Sequence, residues 1–276
     1  MAVSREFQFT DDDFKFVAAK IYEKSGIKLA DHKRDMVYGR LARRLRELNL
    51  KSFEQYCKFI DSPEGEGEVG NFVNAVTTNL TSFFREHHHF DHLKESLNQR
   101  SLQPKADKRI RIWSAASSSG PEPYSIAMTV CEGLKNYKAW DIKILATDID
   151  TNMLETAKNG VYDDSLLQKI PVGYRSKYVV KSSRKDNKGV MAENLKELIT
   201  FKQLNLMHQL PMKGPMDYVF CRNVVIYFDK PTQIELFKKI SSLMPSGAIL
   251  YIGHSENLFK VSDDFELIGR TIYRKI

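Results

Sequence analysis

Cysteine is scarce in this chain of 276 residues, and the three that occur, Cys57, Cys131 and Cys221, are far apart and form no CxxC pair. Such spacing favours neither a disulfide framework nor a zinc site. Long apolar runs are also lacking, and the opening segment MAVSREFQFTDDD carries charges where a signal peptide needs an apolar stretch. We therefore expect a cytoplasmic protein without direct membrane insertion.

Glycine and proline are also sparse, with 14 and 9 residues, whereas the chain has 16 Phe, 12 Tyr and 42% apolar residues. This composition excludes a disordered or fibrous chain and can bury a sizeable core. The formal net charge is +7. An excess of positive charge favours a polyanionic partner, such as nucleic acid, an acidic membrane surface or an acidic protein.

The first eighty or so residues contain only helical patterns. Thr10 and Asp13 have capping-box spacing before the first helix, and Gly26 closes it. We predict three further helices, over residues 33–48, over SFEQYCKFI with Ser52 and Gln55 as its cap, and through FVNAVTTNL after a flexible PEGEGEVG. These residues predict an all-α N-terminal domain over 1–83.

From Arg109 onward, apolar strands alternate with amphipathic helices, which is typical of βαβ units and a parallel sheet. The predicted strands are IRIWSA, IKILATDID, DYVFCRNV and GAILYIGHS, and the helices between them are PEPYSIAMTVCEGL, TNMLETAKNG and PTQIELFKKISSLM. The segments KYVVKSS, GVMA and ELITFKQLN predict a small antiparallel meander that turns at 186–189. The expected second domain therefore covers 84–276, with a β insertion over about 161–206.

Two features of this second domain suggest a bound nucleoside. The segment Trp113–Tyr124 joins a strand to a helix through small residues, which allows a ligand to approach the helix N-terminus, although its single glycine, Gly120, is equally typical of an empty turn. Asp148 ends the next strand, where an acidic side chain accepts hydrogen bonds from ribose, while Asp148 or Asp150 could instead cap a helix. Together, the loop and Asp148 favour a nucleoside.

Other polar residues also follow predicted strands. Asn205 and Asn223 could each bind an adenine edge or an amino-acid tail, or cap a turn. Thr81 and Arg85 have the i, i+4 spacing of one helical face, so both could point at one ligand. Three consecutive histidines follow at 87–89, but their surroundings show no zinc-ligand spacing, and we predict no metal.

The second predicted helix carries several arginines beside a stripe of leucines. They are Arg40, Arg43, Arg44 and Arg46. A charged helix face of this kind is either simply solvated or a surface that docks on acidic helices.

Taken together, these motifs resemble the CheR-type chemotaxis protein-glutamate methyltransferases. The matching segments are NLTSFFRE, IRIWSAASSSGPEPYSIAM, ILATDIDTNML, FKQLNL, FCRNVVIYFD and LYIGHSENL. The resemblance implies a Rossmann-like S-adenosylmethionine-dependent methyltransferase sheet with a small antiparallel insertion, preceded by an all-α domain for receptor recognition. It also implies methyl transfer to glutamate carboxylates of chemoreceptors, with S-adenosylhomocysteine as the product and receptor cytoplasmic helices as partners.

The same resemblance implies roles for individual residues. The residues implied to line the cofactor site are Asn79, Thr81, Arg85, Glu122, Asp148, Asn205, Leu206, Asn223 and Val224. The resemblance also places Arg85 close to cofactor and substrate. We expect Arg85 and Tyr227 to be catalytic, because their segments should converge beside the cofactor, and we expect the four helix arginines to recognise acidic receptor helices. The chain departs from the family pattern at Pro121, where two adjacent glutamates are usual, and in SSRKDNKGVMAENLKEL, the region that docks a receptor peptide in some members.

Two other functions remain open from the sequence. An RNA or small-molecule methyltransferase would suit the positive charge, but it would need aromatic residues interleaved with basic ones on an exposed face. A cofactor-binding signalling scaffold without turnover would keep the same fold. We expect a monomer that binds no nucleic acid.

Overall fold

The computed structural model describes residues 5–103, 107–181 and 187–276. These residues form two compact units. The helical unit contains the chain through Thr78 together with Tyr227–Thr232, and the sheet unit contains Asn79–Ile226 and Gln233–Ile276. Part of the atypical segment SSRKDNKGVMAENLKEL, and Asp186 of the predicted turn, lie outside the described residues.

The helical unit contains the helices that the sequence predicts. They are α1 (Asp11–Ser25), α2 (Arg34–Glu47), α3 (Phe53–Ile60) and α4 (Val69–Val76). Thr10 and Asp13 form a reciprocal capping box at the start of α1, and Gly26 ends that helix in a left-handed conformation with φ 71°. Ile21, Leu41 and other apolar residues on the inner faces of these helices are fully buried and form the core of the unit.

The segment PEGEGEVG is ordered, so its prediction as a flexible stretch is wrong. Residues Pro63–Glu68 form a 3₁₀ helix, and a Cβ at Gly65 would overlap the Phe59 carbonyl. Glu68 is buried, and its carboxylate accepts hydrogen bonds from Arg44 Nε (2.8 Å) and Nη2 (2.6 Å). Glycine and glutamate are typical of solvated loops, but here glycine permits close packing and the glutamate is paired.

The sheet unit alternates strands and helices. The strands are β1 (Arg109–Ser114), β2 (Asp141–Asp148), β3 (Val161–Asp163), β4 (Val179–Lys181), β5 (Lys188–Met191), β6 (Ile199–Gln203), β7 (Tyr218–Cys221), β8 (Ile249–Ile252), β9 (Phe265–Gly269) and β10 (Ile272–Lys275). The helices are α5 (His88–Ser101), α6 (Pro121–Gly133), α7 (Thr151–Asn159), α8 (Asp164–Leu167), α9 (Val172–Tyr178), α10 (Glu193–Lys196) and α11 (Lys230–Ser242).

Seven of the described strands form the main sheet in the order β6-β2-β1-β7-β8-β10-β9. The pairs from β6 to β8 are parallel, while β10 is antiparallel to both of its neighbours. The inner strands are buried on both faces, as parallel strands covered by helices must be. The predicted α/β fold is confirmed, and the carboxyl ends of β1, β2 and β7 meet at one edge of the sheet.

A smaller antiparallel sheet of β3, β5 and β4 confirms the predicted insertion. The assignment of ELITFKQLN to this meander is wrong, because β6 pairs in parallel with β2, from Ile199 beside Ile144 to Gln203 beside Asp148. β6 is an edge strand with alternating burial. Alternation of this kind is more typical of an antiparallel strand, which explains the error. Within the described ranges, no helix has the length and apolar character needed to cross a bilayer.

Candidate active site

The loop between β1 and α6 lies at the carboxyl edge of the sheet and is held tightly. Gly120 has φ 103°, and a Cβ there would lie 2.5 Å from Tyr162 Oη and 2.9 Å from Ala157 Cβ. The Tyr162 hydroxyl donates to the Ser119 carbonyl at 2.7 Å. Only glycine fits this position. The single glycine therefore serves the close approach of α6 to α7, and it fixes the path of the loop.

The N-terminus of α6 is poor in hydrogen-bond donors. Pro121 and Pro123 have no amide hydrogen, so Glu122 supplies the only backbone donor among the first three helical residues. Phosphate-binding helix termini depend on several such donors. This terminus therefore suits a nucleoside ligand without phosphates better than a dinucleotide.

Asp148, at the end of β2, is a buried carboxylate with capacity to accept more hydrogen bonds. Its Oδ2 accepts from the Ser118 amide at 2.7 Å, and its Oδ1 accepts from the Asp150 amide at 2.9 Å. Burial raises the pKa of Asp148 to about 6, and no described cation offsets that burial. Each carboxylate oxygen can accept further bonds. Two neighbouring hydroxyls, as on a ribose, fit these remaining positions.

The structure separates the two aspartates whose roles the sequence leaves open. Asp150 caps α7, because its Oδ1 accepts from the amides of Asn152 (3.0 Å) and Met153 (3.3 Å). Its Oδ2 accepts from Asn79 Nδ2 at 2.7 Å. Asn79 also accepts, through its carbonyl, a hydrogen bond from the Ser118 side chain at 3.0 Å. Asn79 therefore lies beside Asp148 and ties the start of the sheet unit to that site.

The segment that carries Thr81 and Arg85 is not a helix, so the prediction of a shared helical face is wrong. Phe84 and Glu86 have φ values of 51° and 56°, in the left-handed region. The Phe84 amide donates to Ser125 Oγ at 3.0 Å, and its ring packs edge-on against Phe90. Because tertiary contacts of this kind hold the turn, its sequence spacing alone is misleading. Arg85 Nη1 donates to the Leu80 carbonyl at 3.1 Å.

Arg222 is the centre of a buried charge network. Its Nη1 donates to Glu122 Oε2 at 2.8 Å, and its Nη2 donates to the Arg85 carbonyl and lies 3.4 Å from Glu86 Oε2. The other oxygen of Glu122 accepts from Ser114 Oγ at 2.7 Å. This network links the ends of β1 and β7 to the Arg85 backbone. Neither Glu86 nor the buried position of Arg222 is evident from the sequence, since only the fold brings them together.

Burial would raise the pKa of Glu86, but the Arg222 charge and hydrogen bonds from His254 and Asn223 lower it to about 2. Glu86 Oε1 accepts from Asn223 Nδ2 at 3.3 Å and lies 2.9 Å from His254 Nδ1. The backbone of Asn223 itself adopts the left-handed conformation, with φ 57°. The ionised Glu86 therefore holds the side chain of Asn223, and Val224 follows on the same loop.

Asn205 and Leu206 follow β6 at the same edge of the sheet. Asn205 Oδ1 accepts from the Met207 amide at 3.0 Å, which closes a tight turn. Leu206 is buried, and its carbonyl accepts from Lys239 Nζ at 2.9 Å. The carboxyl edge of the sheet thus carries two hydrogen-bonded groups. One joins Asn79 to the Asp148 loop, and the other runs from Glu122 through Arg222 and Glu86 to Asn223.

Two of the three consecutive histidines, His88 and His89, pack the start of α5 against the carboxyl-terminal hairpin. His88 Nε2 lies 3.0 Å from the Arg270 carbonyl, and His89 Nε2 lies 3.0 Å from Thr271 Oγ1. Burial and the Arg222 charge lower the pKa of His89 to about 3, so its ring is neutral. In the part of the chain that the structure describes, no three metal-ligating side chains cluster.

The arginines of α2 divide into two pairs. Arg40 donates to the carbonyls of Ala75 and Thr77, and Arg44 forms an ion pair with buried Glu68. The side chains of Arg40 and Arg44 therefore bind partners within the helical unit. Arg43 and Arg46 are exposed, with 71% and 57% of their side chains accessible. Their guanidinium Nε atoms lie 3.6 Å from Glu47 and 3.0 Å from Glu6. Two of the four predicted recognition arginines are therefore available to a partner.

Tyr227 belongs to the helical unit. Its carbonyl accepts from the Lys28 amide at 2.8 Å, just beyond α1. Two residues later, Asp229 Oδ2 accepts from the Tyr22 hydroxyl at 2.8 Å. The backbone of Tyr227 is thus held by the region around α1.

Two family models match this chain in succession. Residues 12–77 match the all-alpha domain of CheR methyltransferase, and residues 79–274 match its SAM binding domain. The residues at the carboxyl edge are of a kind that suits S-adenosylmethionine, because a buried carboxylate such as that of Asp148 is an acceptor for ribose hydroxyls and the cofactor carries no phosphate.

Several relatives match over nearly their whole length. The chain is 44% identical over 257 residues to a probable chemotaxis protein methyltransferase of Rhizobium etli, covering 92% of this chain and 96% of that protein. It is 42% identical to chemotaxis protein methyltransferase 2 of Pseudomonas aeruginosa, covering 98% and 95%. It is 40% identical to the chemotaxis protein methyltransferase of Escherichia coli, covering 99% and 94%. The chain belongs to the CheR methyltransferase family and is an S-adenosylmethionine-dependent methyltransferase.

Proposed function

We propose that this protein transfers the methyl group of S-adenosylmethionine to glutamate side chains of chemoreceptors, forming methyl esters. The observation that carries the proposal is the buried Asp148 carboxylate near a helix terminus with too few amide donors to bind a phosphate. The names of the relatives, which are chemotaxis protein methyltransferases, support chemoreceptors as the substrate.

The proposed reaction needs no catalytic base. A glutamate side chain has a pKa near ~4.3 and is ionised at neutral pH, so its oxygen is already a nucleophile. The bound cofactor supplies an electrophilic methyl group on a sulfonium sulfur. The carboxylate oxygen bonds to the methyl carbon while the carbon–sulfur bond breaks, and the electron pair stays on sulfur. The protein must therefore align the two groups and limit the water around the carboxylate.

The sheet unit would hold the cofactor. Asp148 would accept the ribose hydroxyls, while Asn79 keeps the Asp148 loop in place through Asp150 and Ser118. The other residues that we assign to the cofactor site are Thr81, Arg85, Glu122, Asn205, Leu206, Asn223 and Val224.

Arg85 and Tyr227 are the proposed catalytic residues. The Arg85 guanidinium can bind the substrate carboxylate through paired hydrogen bonds, and its backbone carbonyl is already fixed by Arg222. The Tyr227 hydroxyl would help to orient the reacting groups.

We further propose that the helical unit recognises the receptor and that the protein acts in the cytoplasm as a monomer. Receptor helices with target glutamates are acidic, and the exposed Arg43 and Arg46 complement them. Arg40 and Arg44 would support this face by fixing α2 against α4 and Glu68. Binding to RNA is not favoured, because no relative named above suggests it.

The test is transfer of a labelled methyl group to chemoreceptor-containing membranes. We expect label in the receptor that mild alkali releases as volatile methanol, because esters hydrolyse under conditions that leave N-methyl groups intact. An Asp148→Ala variant serves as the inactive control. Label that resists alkali, or that appears in RNA or small molecules, would refute the proposed substrate.

A further inference from the structure

Glu256, near the end of the segment LYIGHSENL, is a buried carboxylate that binds only backbone amides among its described hydrogen-bond partners. Its Oε2 accepts from the amides of Asn223 (3.0 Å) and Gly253 (2.5 Å), and its Oε1 accepts from those of Val225 (3.0 Å) and Ile226 (3.3 Å). The residue is 5% exposed and forms no salt bridge with a described cation. Four donors aimed at one carboxylate offset part of the cost of its burial.

Three of these donors belong to the loop that follows β7. Asn223 adopts φ 57° there, a conformation that costs a non-glycine residue free energy and persists only where its surroundings impose it. Glu256 binds the Asn223 amide at one end of the loop and the Val225 and Ile226 amides at the other. The carboxylate thus clamps both sides of Val224.

Gly253 supports the same contact from β8. A Cβ at this position would overlap Asn223 Nδ2 and would lie 2.8 Å from Glu256 Oε2 and 2.9 Å from the Asn223 amide nitrogen. Any side chain at 253 would therefore displace Asn223 from Glu256. On its other side, Asn223 donates from Nδ2 to Glu86. A carboxylate acceptor fixes which end of the amide is NH₂, so the orientation of Asn223 is set.

We propose that Glu256 is a positioning residue for the cofactor site: it holds the loop over 223–226 so that the Asn223 side chain presents a fixed polar group to S-adenosylmethionine. This inference rests on the proposed assignment of Asn223 to the cofactor site. Glu256 itself touches neither cofactor nor substrate. Its effect passes through the loop backbone.

The experiment measures S-adenosylhomocysteine binding by calorimetry, which does not depend on the receptor. Glu256→Gln should weaken binding about tenfold or more, because an amide of the same shape accepts on one side only and turns donor hydrogens toward backbone amides. Glu266→Gln, an exposed position on β9, is the matched control and should bind like the parent.

A double-mutant cycle separates positioning from a merely structural role. In an Asn223→Ala background, Glu256→Gln should weaken binding less than about threefold, because the side chain that it positions is already gone. If the loss of affinity in the double variant instead equals the product of the two single losses, Glu256 does not act through Asn223 and the inference is overturned. If Asn223→Ala alone binds like the parent, the proposed cofactor site fails rather than the positioning role.

A second variant covers the case in which Glu256→Gln does not fold. Gly253→Ala keeps the carboxylate but pushes Asn223 away, and it should show the same loss of binding and the same coupling to Asn223→Ala. A folded Gly253→Ala protein with parent-like binding would overturn the inference. Failure of both variants to fold would also overturn it, since Glu256 would then serve the fold itself.

Discussion

At the scale of single residues, Asp148 shows how a site can be prepared for a ligand at a cost to the free protein. Burial raises the pKa of Asp148 to about 6, and hydrogen bonds from the backbone amides of Asp150, Ser118 and Ile149 offset only part of that burial. Because this folded pKa exceeds the ordinary aspartate value of 3.8, the group's contribution to stability is present at acid pH and is lost as the pH rises through about 6. Ribose hydroxyls would supply the missing donors to the ionised form.

The raised pKa of Asp148 predicts a pH dependence of cofactor binding. The affinity for S-adenosylhomocysteine, measured by calorimetry, should be nearly constant above about pH 7 and should fall below pH 6, by up to about tenfold per pH unit, as Asp148 takes up its proton. Asp148→Asn cannot titrate, so its weaker binding should not vary over this range. A parent protein whose affinity stays flat from pH 8 to pH 5 would contradict the assignment of Asp148.

Arg85 provides a second prediction at this scale. Among the described residues, its side chain donates to the Leu80 carbonyl and lies 3.9 Å from Glu86 Oε1, while Arg222 holds its backbone. Arg85→Ala should therefore stay folded and lose about 10- to 100-fold in turnover, the worth of a charged hydrogen bond to the substrate. Melting temperature and labelled methyl transfer measure the two effects, with the exposed Arg270→Ala as control. Turnover like that of the control would remove Arg85 from the mechanism.

At the scale of elements, the sequence predicts what local chemistry determines. The capping box of Thr10 and Asp13, the end of α1 at Gly26 and the strand that ends at Asp148 all follow from neighbouring residues. The sequence predicts β6 as part of the small antiparallel sheet, because its parallel pairing with β2 is a contact between segments far apart in the chain. The left-handed Glu86 could not be predicted either, since Arg222 and Asn223, far along the chain, stabilise that conformation.

In the α2 helix, too, some features follow from the local sequence and others only from distant contacts, and this helix leads to a third prediction. The helical periodicity predicts which face of α2 carries the arginines. Only the structure shows that Arg44 forms an ion pair with buried Glu68, whereas Arg43 and Arg46 remain exposed. Reversing both exposed charges to Glu should slow receptor methylation several-fold at low salt, and the difference should shrink as salt screens the attraction. Cofactor affinity should not change, because the Asp148 site lies in the other unit.

The control for this prediction carries the same change of charge on another surface of the helical unit. Lys15 and Lys58 are exposed on α1 and α3, so reversing both alters the net charge equally without touching α2. If both double variants methylate receptors alike across a salt series, α2 is only a solvated face. Net charge, rather than a specific surface, would then explain any common loss.

At the scale of the whole molecule, the two units are not two consecutive stretches of chain. Residues Tyr227–Thr232 lie within the methyltransferase sequence, yet they pack as part of the helical unit. Tyr22 and Asp229 are 207 positions apart and share a hydrogen bond of 2.8 Å. Hydrogen bonds from Thr232 and Tyr22 lower the pKa of Asp229, which keeps this acceptor ionised. The region around α1 therefore helps to determine the backbone position of the proposed catalytic Tyr227.

The last prediction follows from that contact. Tyr22→Phe removes the hydroxyl that binds Asp229, so the segment carrying Tyr227 should become less well ordered. Because this hydrogen bond is exposed to solvent, its loss should have only a small effect, and we expect methyl transfer to fall roughly two- to fivefold. The affinity for S-adenosylhomocysteine should stay at the parent value, since Asp148 and Asn223 are untouched. Tyr38→Phe is the matched control, because that hydroxyl contacts the Phe7 amide and not the segment after Tyr227. Equal turnover in the two variants would show that α1 supports the fold without influencing catalysis.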